Sequence, residues 1–197
     1  MSTDYLTAEE LVTRGLDKSQ KGDNQGAIDD FTQAIELDPN SAIAFKSRGD
    51  AKYCDDTDGA IEDYSKSIEL DPSHITVYYN RGLCFNSSFQ CQSALEDFSK
   101  VIELDPNYSD AYHHRGLAHF ELGNYQEAID DFTKAMSFSS YKTLSYYYKA
   151  LNYIYRGSVR LSMGDKQGAI EDSQKAADIC LSDNRMEAYQ VTLGHLY

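Results

Sequence analysis

Tryptophan is absent from this sequence of 197 residues, and proline occurs only three times. Basic side chains are also scarce: 18 Lys and Arg residues stand against 32 Asp and Glu residues, which leaves a formal net charge of −14. Nucleic-acid binding depends on Lys and Arg residues that neutralise phosphates, so this balance argues against a nucleic-acid partner. It favours solubility and, among protein partners, those with basic surfaces.

Long apolar runs are missing as well. No stretch approaches the roughly 18 uninterrupted apolar residues of a membrane-spanning helix, and the first residues lack the basic start and apolar run of a signal peptide. We therefore expect no membrane insertion and a cytoplasmic location. The four cysteines show no C-x-x-C spacing, so we expect reduced thiols rather than disulfides.

The motifs of common catalytic and metal sites are missing too. The sequence has no G-x-x-x-x-G-K-[S/T] phosphate loop, no G-x-S-x-G nucleophile elbow and no H-E-x-x-H zinc helix. His113, His114 and His119 lie close together, but no two are spaced four apart as a helical zinc pair requires. The segment around Asp56 and Asp58 lacks the first and last ligands of a calcium loop. We therefore expect no catalytic residue, no metal, no cofactor and no enzymatic activity.

What the sequence does contain is a repeat. An Arg-Gly pair recurs five times, at steps of 34, 33, 34 and 41 residues, and each pair is followed by Ala-Ile/Leu-x-Asp. The first three units then end in Ile-Glu-Leu-Asp-Pro. A period of this length is typical of stacked helical repeats. The pairs are Arg14-Gly15, Arg48-Gly49, Arg81-Gly82, Arg115-Gly116 and Arg156-Gly157.

The repeated residues predict a packed pair of helices in each unit. Ala27, Phe31 and Ala34 share one helical face, and the small residues let a neighbouring helix approach. Gly15 falls inside the preceding helix, where glycine costs roughly 1 kcal/mol relative to alanine. Because that cost recurs five times, we expect a steric reason, namely that the second helix packs against the glycine. The prolines should end the second helices.

These residues resemble the tetratricopeptide repeat over residues 8 to about 183. The sequence departs from that family in having Arg where Leu usually precedes the glycine, and Ser140 in place of the fourth proline. The resemblance implies an all-α fold, a right-handed α-solenoid of antiparallel helix pairs that forms a single domain over residues 1–197. We place a capping helix at 184–197 and the repeats at 8–41, 42–74, 75–108, 109–142 and 150–183.

Residues 143–149 form an insertion before the fifth repeat. Seven residues are close to two helical turns, so the insertion can lengthen the first helix of that repeat by roughly 10 Å. It would then expose Tyr146, Tyr147 and Tyr148 as a secondary interface, since tyrosine is enriched at interfaces. The alternative is a looser loop whose tyrosines fold back on the core. The sequence leaves both alternatives open.

The resemblance also implies where a partner binds. In this family the first helices of successive pairs line a concave groove through the second, fifth, ninth and twelfth places of each unit. These places lie three or four residues apart, on one helical face. Leu16 and Ile43 are at the ninth and second places of repeats 1 and 2. For Leu83, Leu117 and Ile154, packing between helix pairs is an alternative. The predicted groove residues are Lys46, Asp50, Tyr53, Tyr79, Asn80, Leu83, Asp110, His113, Leu117, Phe120 and Ile154.

Three hypotheses for function follow. The first is a non-enzymatic scaffold or adaptor whose groove binds a peptide or helix of a protein partner that is basic or aromatic and apolar rather than acidic. The second is self-assembly into a homo-oligomer through the tyrosine insertion or the C-terminal helix.

The third hypothesis comes from a subclass of the family, the chaperone-binding cochaperones, which hold an acidic C-terminal peptide with Lys, Asn and Arg side chains. Lys46 and Asn80 match that pattern. Asp50, Asp110 and His114 replace its other members, and the two aspartates would repel a carboxylate. The sequence therefore disfavours this hypothesis.

Overall fold

The computed structural model describes residues 6–138 and 143–182. Within these ranges every regular element is an α-helix, and the helices pack as consecutive pairs. The predicted all-α fold of paired helices is confirmed. The helices are α1 (Ala8–Gln20), α2 (Asn24–Leu37), α3 (Ala42–Lys52), α4 (Thr57–Leu70), α5 (Ile75–Ser87), α6 (Cys91–Leu104), α7 (Ser109–Glu121), α8 (Tyr125–Ser137), α9 (Thr143–Ser162) and α10 (Lys166–Ser182).

The contacts divide the chain into two units, Met1–Asp105 and Pro106–Tyr197. The first unit contains the pairs α1/α2, α3/α4 and α5/α6, and the second contains α7/α8 and α9/α10. Within a unit, the second helix of one pair also packs on the first helix of the next pair. The capping helix predicted for 184–197 lies outside the described residues.

Turns and prolines set the limits of the helices. The second helices α2, α4 and α6 each end two residues before a proline, as predicted. In repeats 1, 4 and 5 the turn within the pair places a glycine in the left-handed region, with φ between +76° and +84°. Repeat 3 has Phe89 at that place, with φ +56° and a side chain that is 84% exposed.

A buried ring packs on the glycine of the first helix in each of the first four pairs. A Cβ atom added at Gly15 would lie 2.5 Å from Cε1 of Phe31, and one added at Gly116 would lie 2.9 Å from Cε1 of Phe132. Both rings are fully buried. The predicted steric reason for the recurring glycine is therefore confirmed in these pairs. The other two contacts are Tyr64 on Gly49 and Phe98 on Gly82.

In the fifth helix pair no aromatic ring packs on the glycine, Gly157. Ser173 occupies the aromatic place, and the atoms nearest to a Cβ added at Gly157 are the carbonyl oxygen of Ala169 and Cβ of Asp172, both at 3.4 Å. That separation is an ordinary contact, so this glycine is not required by packing.

Replacing Gly116 and Gly157 by alanine should therefore change the free energy of unfolding in opposite directions. We expect Gly116→Ala to lower the free energy of unfolding by roughly 1–2 kcal/mol, the cost of overpacking less the gain in helix propensity. We expect Gly157→Ala to raise it by up to about 1 kcal/mol. Urea unfolding followed by circular dichroism measures both, and a loss of equal size in the two variants would contradict the packing argument.

An Arg–Asp pair joins the two helices of every pair and explains the arginine that replaces the family's leucine. In each, Nε and Nη2 of the arginine donate to the two carboxylate oxygens at 2.6–2.9 Å. The aspartate side chains are 0–7% exposed. The pairs are Arg14–Asp30, Arg48–Asp63, Arg81–Asp97, Arg115–Asp131 and Arg156–Asp172.

The surroundings of these carboxylates differ between repeats. Hydrogen bonds from Arg14, helped by Lys18, hold the pKa of Asp30 below its usual value despite burial. In repeat 3 the place of Lys18 is taken by Phe85, whose ring lies 5.7 Å from the Arg81 guanidinium. There burial outweighs the single arginine and raises the pKa of Asp97.

The insertion before repeat 5 is helical. Helix α9 runs for 20 residues, whereas α1, α3, α5 and α7 have 11–13, so of the two alternatives the structure has the extended helix. Tyr147 is 45% exposed on it. Tyr148 is half-buried and its ring centroid lies 6.0 Å from that of His113. The side chain of Tyr146 lies outside the described part of the chain.

Candidate functional site

Two predicted groove residues of the first unit, Lys46 and Asn80, contact a third, Asp50. Its Oδ2 atom accepts from Nζ of Lys46 at 2.6 Å. Its Oδ1 atom accepts from the hydroxyl of Tyr64 and from Nδ2 of Asn80, both at 2.9 Å. One carboxylate thus joins α3, α4 and α5, and the charge of Lys46 is already paired.

Two buried groups close to Asp50, the phenol of Tyr64 and the thiol of Cys84, are neutral. The ring of Tyr64 is 1% exposed, and burial together with the negative charge of Asp50 raises the pKa of its phenol well above the ordinary value, so the hydroxyl remains a donor. Burial also raises the pKa of the Cys84 thiol to about 11. This thiol is therefore an unreactive core group.

Apolar side chains flank the Asp50 network. Tyr53 packs partly on the cluster around Tyr64. The rings of Tyr79 and Phe98 meet edge to face, with their centroids 5.9 Å apart. Leu83 is half-buried. Two further residues at the family's lining places are more accessible, Leu16 at 43% and Ile43 at 47%.

In the second unit Leu117 and Phe120 pack partly on the buried cluster of Ala128, Phe132 and Val159. Packing between helices, the alternative stated for Leu117, is therefore part of its role. Asp110 and Ile154 are half-buried.

His113 is predicted to line the groove, but the structure buries it to 5% exposure, which corrects that prediction. Its Nδ1 atom lies 2.9 Å from Oδ1 of Asn152, which only accepts, so Nδ1 carries the proton. Nδ2 of Asn152 donates in turn to the carbonyl oxygen of Tyr148 at 2.9 Å. Burial lowers the pKa of His113. The residue is a packing group between α7 and α9.

The exposed carboxylates are concentrated elsewhere. The predicted groove residues include only two acids, Asp50 and Asp110, and Asp50 is paired with Lys46. The second helices carry many more at exposed places. These are Asp29, Glu36, Asp58, Glu62, Glu69, Glu96, Glu103, Glu127, Asp130, Glu171 and Asp178.

The described residues contain no cluster of three His, Cys, Asp or Glu side chains that could hold a metal ion. Among the same residues, no helix has the length and apolar character to cross a membrane.

Three family models of the tetratricopeptide repeat match four segments of the chain. A model described as "TPR repeat" matches residues 53–85 and 90–123. Two described as "Tetratricopeptide repeat" match residues 109–139 and 15–41. Together these segments cover more than half of the sequence. No match was found among curated proteins.

Solved structures share the fold. A crystal structure of MamA protein superposes with a TM-score of 0.82 at 24% identity, covering 91% of this chain and 95% of that one. YrrB, described as a TPR protein with an unusual peptide-binding site, has a TM-score of 0.80 at 19% identity, with 94% and 91% covered. The first TPR of Spaghetti (RPAP3), bound to the HSP90 peptide SRMEEVD, has a TM-score of 0.57 at 24% identity, with 59% and 93% covered.

Proposed function

The chain belongs to the tetratricopeptide repeat family, and we propose that it is a non-enzymatic interaction module that binds a peptide or helix of a protein partner on its first helices. The observation that carries this proposal is the accessible apolar surface of α1 and α3 in the first unit. Leu16 and Ile43 lie at the family's lining places, and 43% and 47% of these side chains remain exposed. Apolar surface left outside the core is a candidate for partner contact.

Two similar structures support the proposal at the level of the fold. YrrB is a TPR protein with a peptide-binding site, and the RPAP3 domain holds a peptide.

The chemistry of the face favours a partner segment that is apolar, aromatic or basic. Lys46 could hold an acidic peptide only if its ammonium were available, and that group is 2.6 Å from Asp50. Asp110 adds a second negative charge in the other unit. An acidic C-terminal peptide, the ligand of the cochaperone hypothesis, would be repelled by the carboxylate of whichever unit it approached.

Peptides selected from a random display library on the purified protein test the proposal. We expect Leu16→Ser and Ile43→Ser each to weaken the best selected peptide by about tenfold, the effect of losing roughly 1.4 kcal/mol of apolar contact. Fluorescence anisotropy measures the affinity. Both side chains are well exposed, so folding should be unchanged.

Leu37→Ser is the matched control. Leu37 is 61% exposed at the end of the second helix α2, away from the proposed face, and its loss should leave the affinity unchanged. Full affinity in both Leu16→Ser and Ile43→Ser, or an equal loss in Leu37→Ser, would refute binding on the first helices.

Self-association is a second candidate function, favoured by apolar groups exposed in the second unit. Tyr147 is 45% exposed on the extension of α9, and Leu161 and Ile170 are both 57% exposed. The last two line a cavity of about 540 Å³ beside Ser173. Light scattering over a range of concentrations tests it. A dimer lost in Tyr147→Ser would support this candidate, and a monomer at every concentration would end it.

A further inference from the structure

Three hydrogen-bond donors from three helices converge on the carboxylate of Asp50. They are the ammonium of Lys46 on α3, the phenol of Tyr64 on α4 and the amide of Asn80 on α5, at 2.6, 2.9 and 2.9 Å. Each of these groups is an ordinary donor to a carboxylate, and the ammonium adds charge. The three together have the composition of a carboxylate-binding site.

Asp50 and Tyr64 both belong to the second repeat, and each differs from the residues at the same place in the other repeats. At the place of Asp50 the other repeats have leucine or serine, namely Leu16, Leu83, Leu117 and Ser158. At the place of Tyr64 the first, third and fourth repeats have phenylalanine, namely Phe31, Phe98 and Phe132. The phenolic hydroxyl is therefore added in the one repeat that has the aspartate to receive it.

The site is open to solvent on one side. The side chain of Asp50 is 36% exposed, whereas the aspartates of the Arg–Asp pairs are 0–7% exposed. The Arg–Asp ion pairs lie between the two helices of each repeat. The Asp50 carboxylate instead lies at the surface that the proposed function assigns to a partner. A carboxylate arriving from outside could reach the same donors if Asp50 were absent.

We propose that Lys46, Tyr64 and Asn80 form a carboxylate-binding site that Asp50 of the same chain fills, and that Asp50 thereby excludes carboxylate-bearing peptides from this surface. Asp50 is then a specificity-determining residue. The site itself does not depend on the proposed function, but its consequence for partner choice rests on that function.

Chemical rescue tests the site directly. In Asp50→Ala the removed carboxylate leaves a space of the size of formate, and the buried Tyr64 hydroxyl loses its acceptor. We expect the Tm of this variant to fall by roughly 4 °C or more. Sodium formate should restore part of that loss in a saturable manner, while sodium chloride at the same ionic strength should not. The wild type should respond equally to the two salts.

Asp17→Ala is the matched control. Asp17 also pairs with a lysine four residues away, at 2.6 Å from Nζ of Lys21, on the exposed surface of the chain. It has no phenol and amide among its hydrogen bonds, so formate should act on this variant as chloride does. The absence of a formate-specific gain in Asp50→Ala, or an equal gain in Asp17→Ala, would overturn the proposal.

A peptide experiment tests the exclusion. Asp50→Ala should bind an acidic peptide with a free C-terminal carboxylate at least about tenfold more tightly than the wild type does, and the amidated form of the peptide should show less of this gain. Equal binding of the acidic peptide by the wild type and the variant would overturn the exclusion. Formate rescue of Asp50→Ala would uphold the site even if Leu16→Ser and Ile43→Ser disproved partner binding on the first helices.

Discussion

Asp172→Ala is expected to lower the free energy of unfolding by roughly 3–5 kcal/mol, the cost of leaving a buried charge without its partner. The side chain of Asp172 is fully buried and accepts from Nε and Nη2 of Arg156 at 2.9 and 2.6 Å. Its Oδ2 atom also forms an ion pair with Nη1 of Arg160 at 3.0 Å. The Arg156 side chain is only 10% exposed. When the carboxylate is removed, the Arg156 guanidinium cannot turn to water without opening the α9/α10 pair.

Asp30→Ala is the matched control, because the same bidentate geometry joins Asp30 to an arginine that is accessible. The side chain of Arg14 is 45% exposed, so water can replace the lost carboxylate and we expect a loss of only about 1–2 kcal/mol. Urea unfolding followed by circular dichroism measures both variants. A loss in Asp172→Ala no larger than that in Asp30→Ala would show that burial of the arginine does not set the cost.

A double variant separates charge burial from packing. In Arg156→Met/Asp172→Leu both charges are replaced by apolar groups of similar size, and such replacements in other proteins are often neutral or stabilising. We expect this variant to be more stable than Asp172→Ala. A double variant as unstable as the single one would place the effect in packing rather than in the unpaired charge.

Acidification from pH 7 to pH 5 is expected to lower the stability by about 2 kcal/mol through His114. Burial, with a smaller contribution from His113, lowers the pKa of His114 from 6.5 to about 3. Between these two values the unfolded chain binds the proton and the folded chain does not. The stability associated with neutral His114 is therefore fully present above pH 6.5 and is lost as the pH falls from 6.5 towards the folded-state pKa of about 3. Burial lowers the pKa of His113 and of His119 in the same direction.

The slope of stability against pH is the measurement, because it reports protons and not packing. Between pH 6.5 and pH 5 each unprotonated buried histidine contributes up to about 1.4 kcal/mol per pH unit. His114→Phe should reduce the slope by about one proton, whatever it does to the stability at pH 7. A slope unchanged in His114→Phe would show that His114 is protonated in the folded chain as readily as in the unfolded one.

The glycine and aromatic places of the repeat are predictable from sequence because their cause is local and periodic. A glycine and an aromatic residue, such as Gly116 and Phe132, recur 15 or 16 residues apart in four units, and one contact explains both. The Arg–Asp pairs carry a similar signal, since the aspartate follows the arginine by 15 or 16 residues in every unit. Spacing alone, however, does not distinguish the buried Asp30 from the neighbouring Asp29, which is exposed.

The candidate site is harder to predict because its geometry depends on neighbouring repeats. His113 has the spacing of a lining residue, yet Tyr148 and Asn152 lie against it. Tyr148 comes from the insertion, whose helical or loop conformation the sequence leaves open. The exposed character of Asp50 follows from the repeat pattern, but its three donors come from three helices and only the folded chain brings them together.

Mapping of the best selected peptide by amide chemical shifts tests the central claim most directly, because it locates binding without a substitution. If the first helices form the partner surface, the largest shift changes lie in α1, α3 and α5, around Leu16 and Ile43. Changes confined to the acidic second helices α2, α4 and α6, or to the turns between helices, would contradict the proposed binding surface.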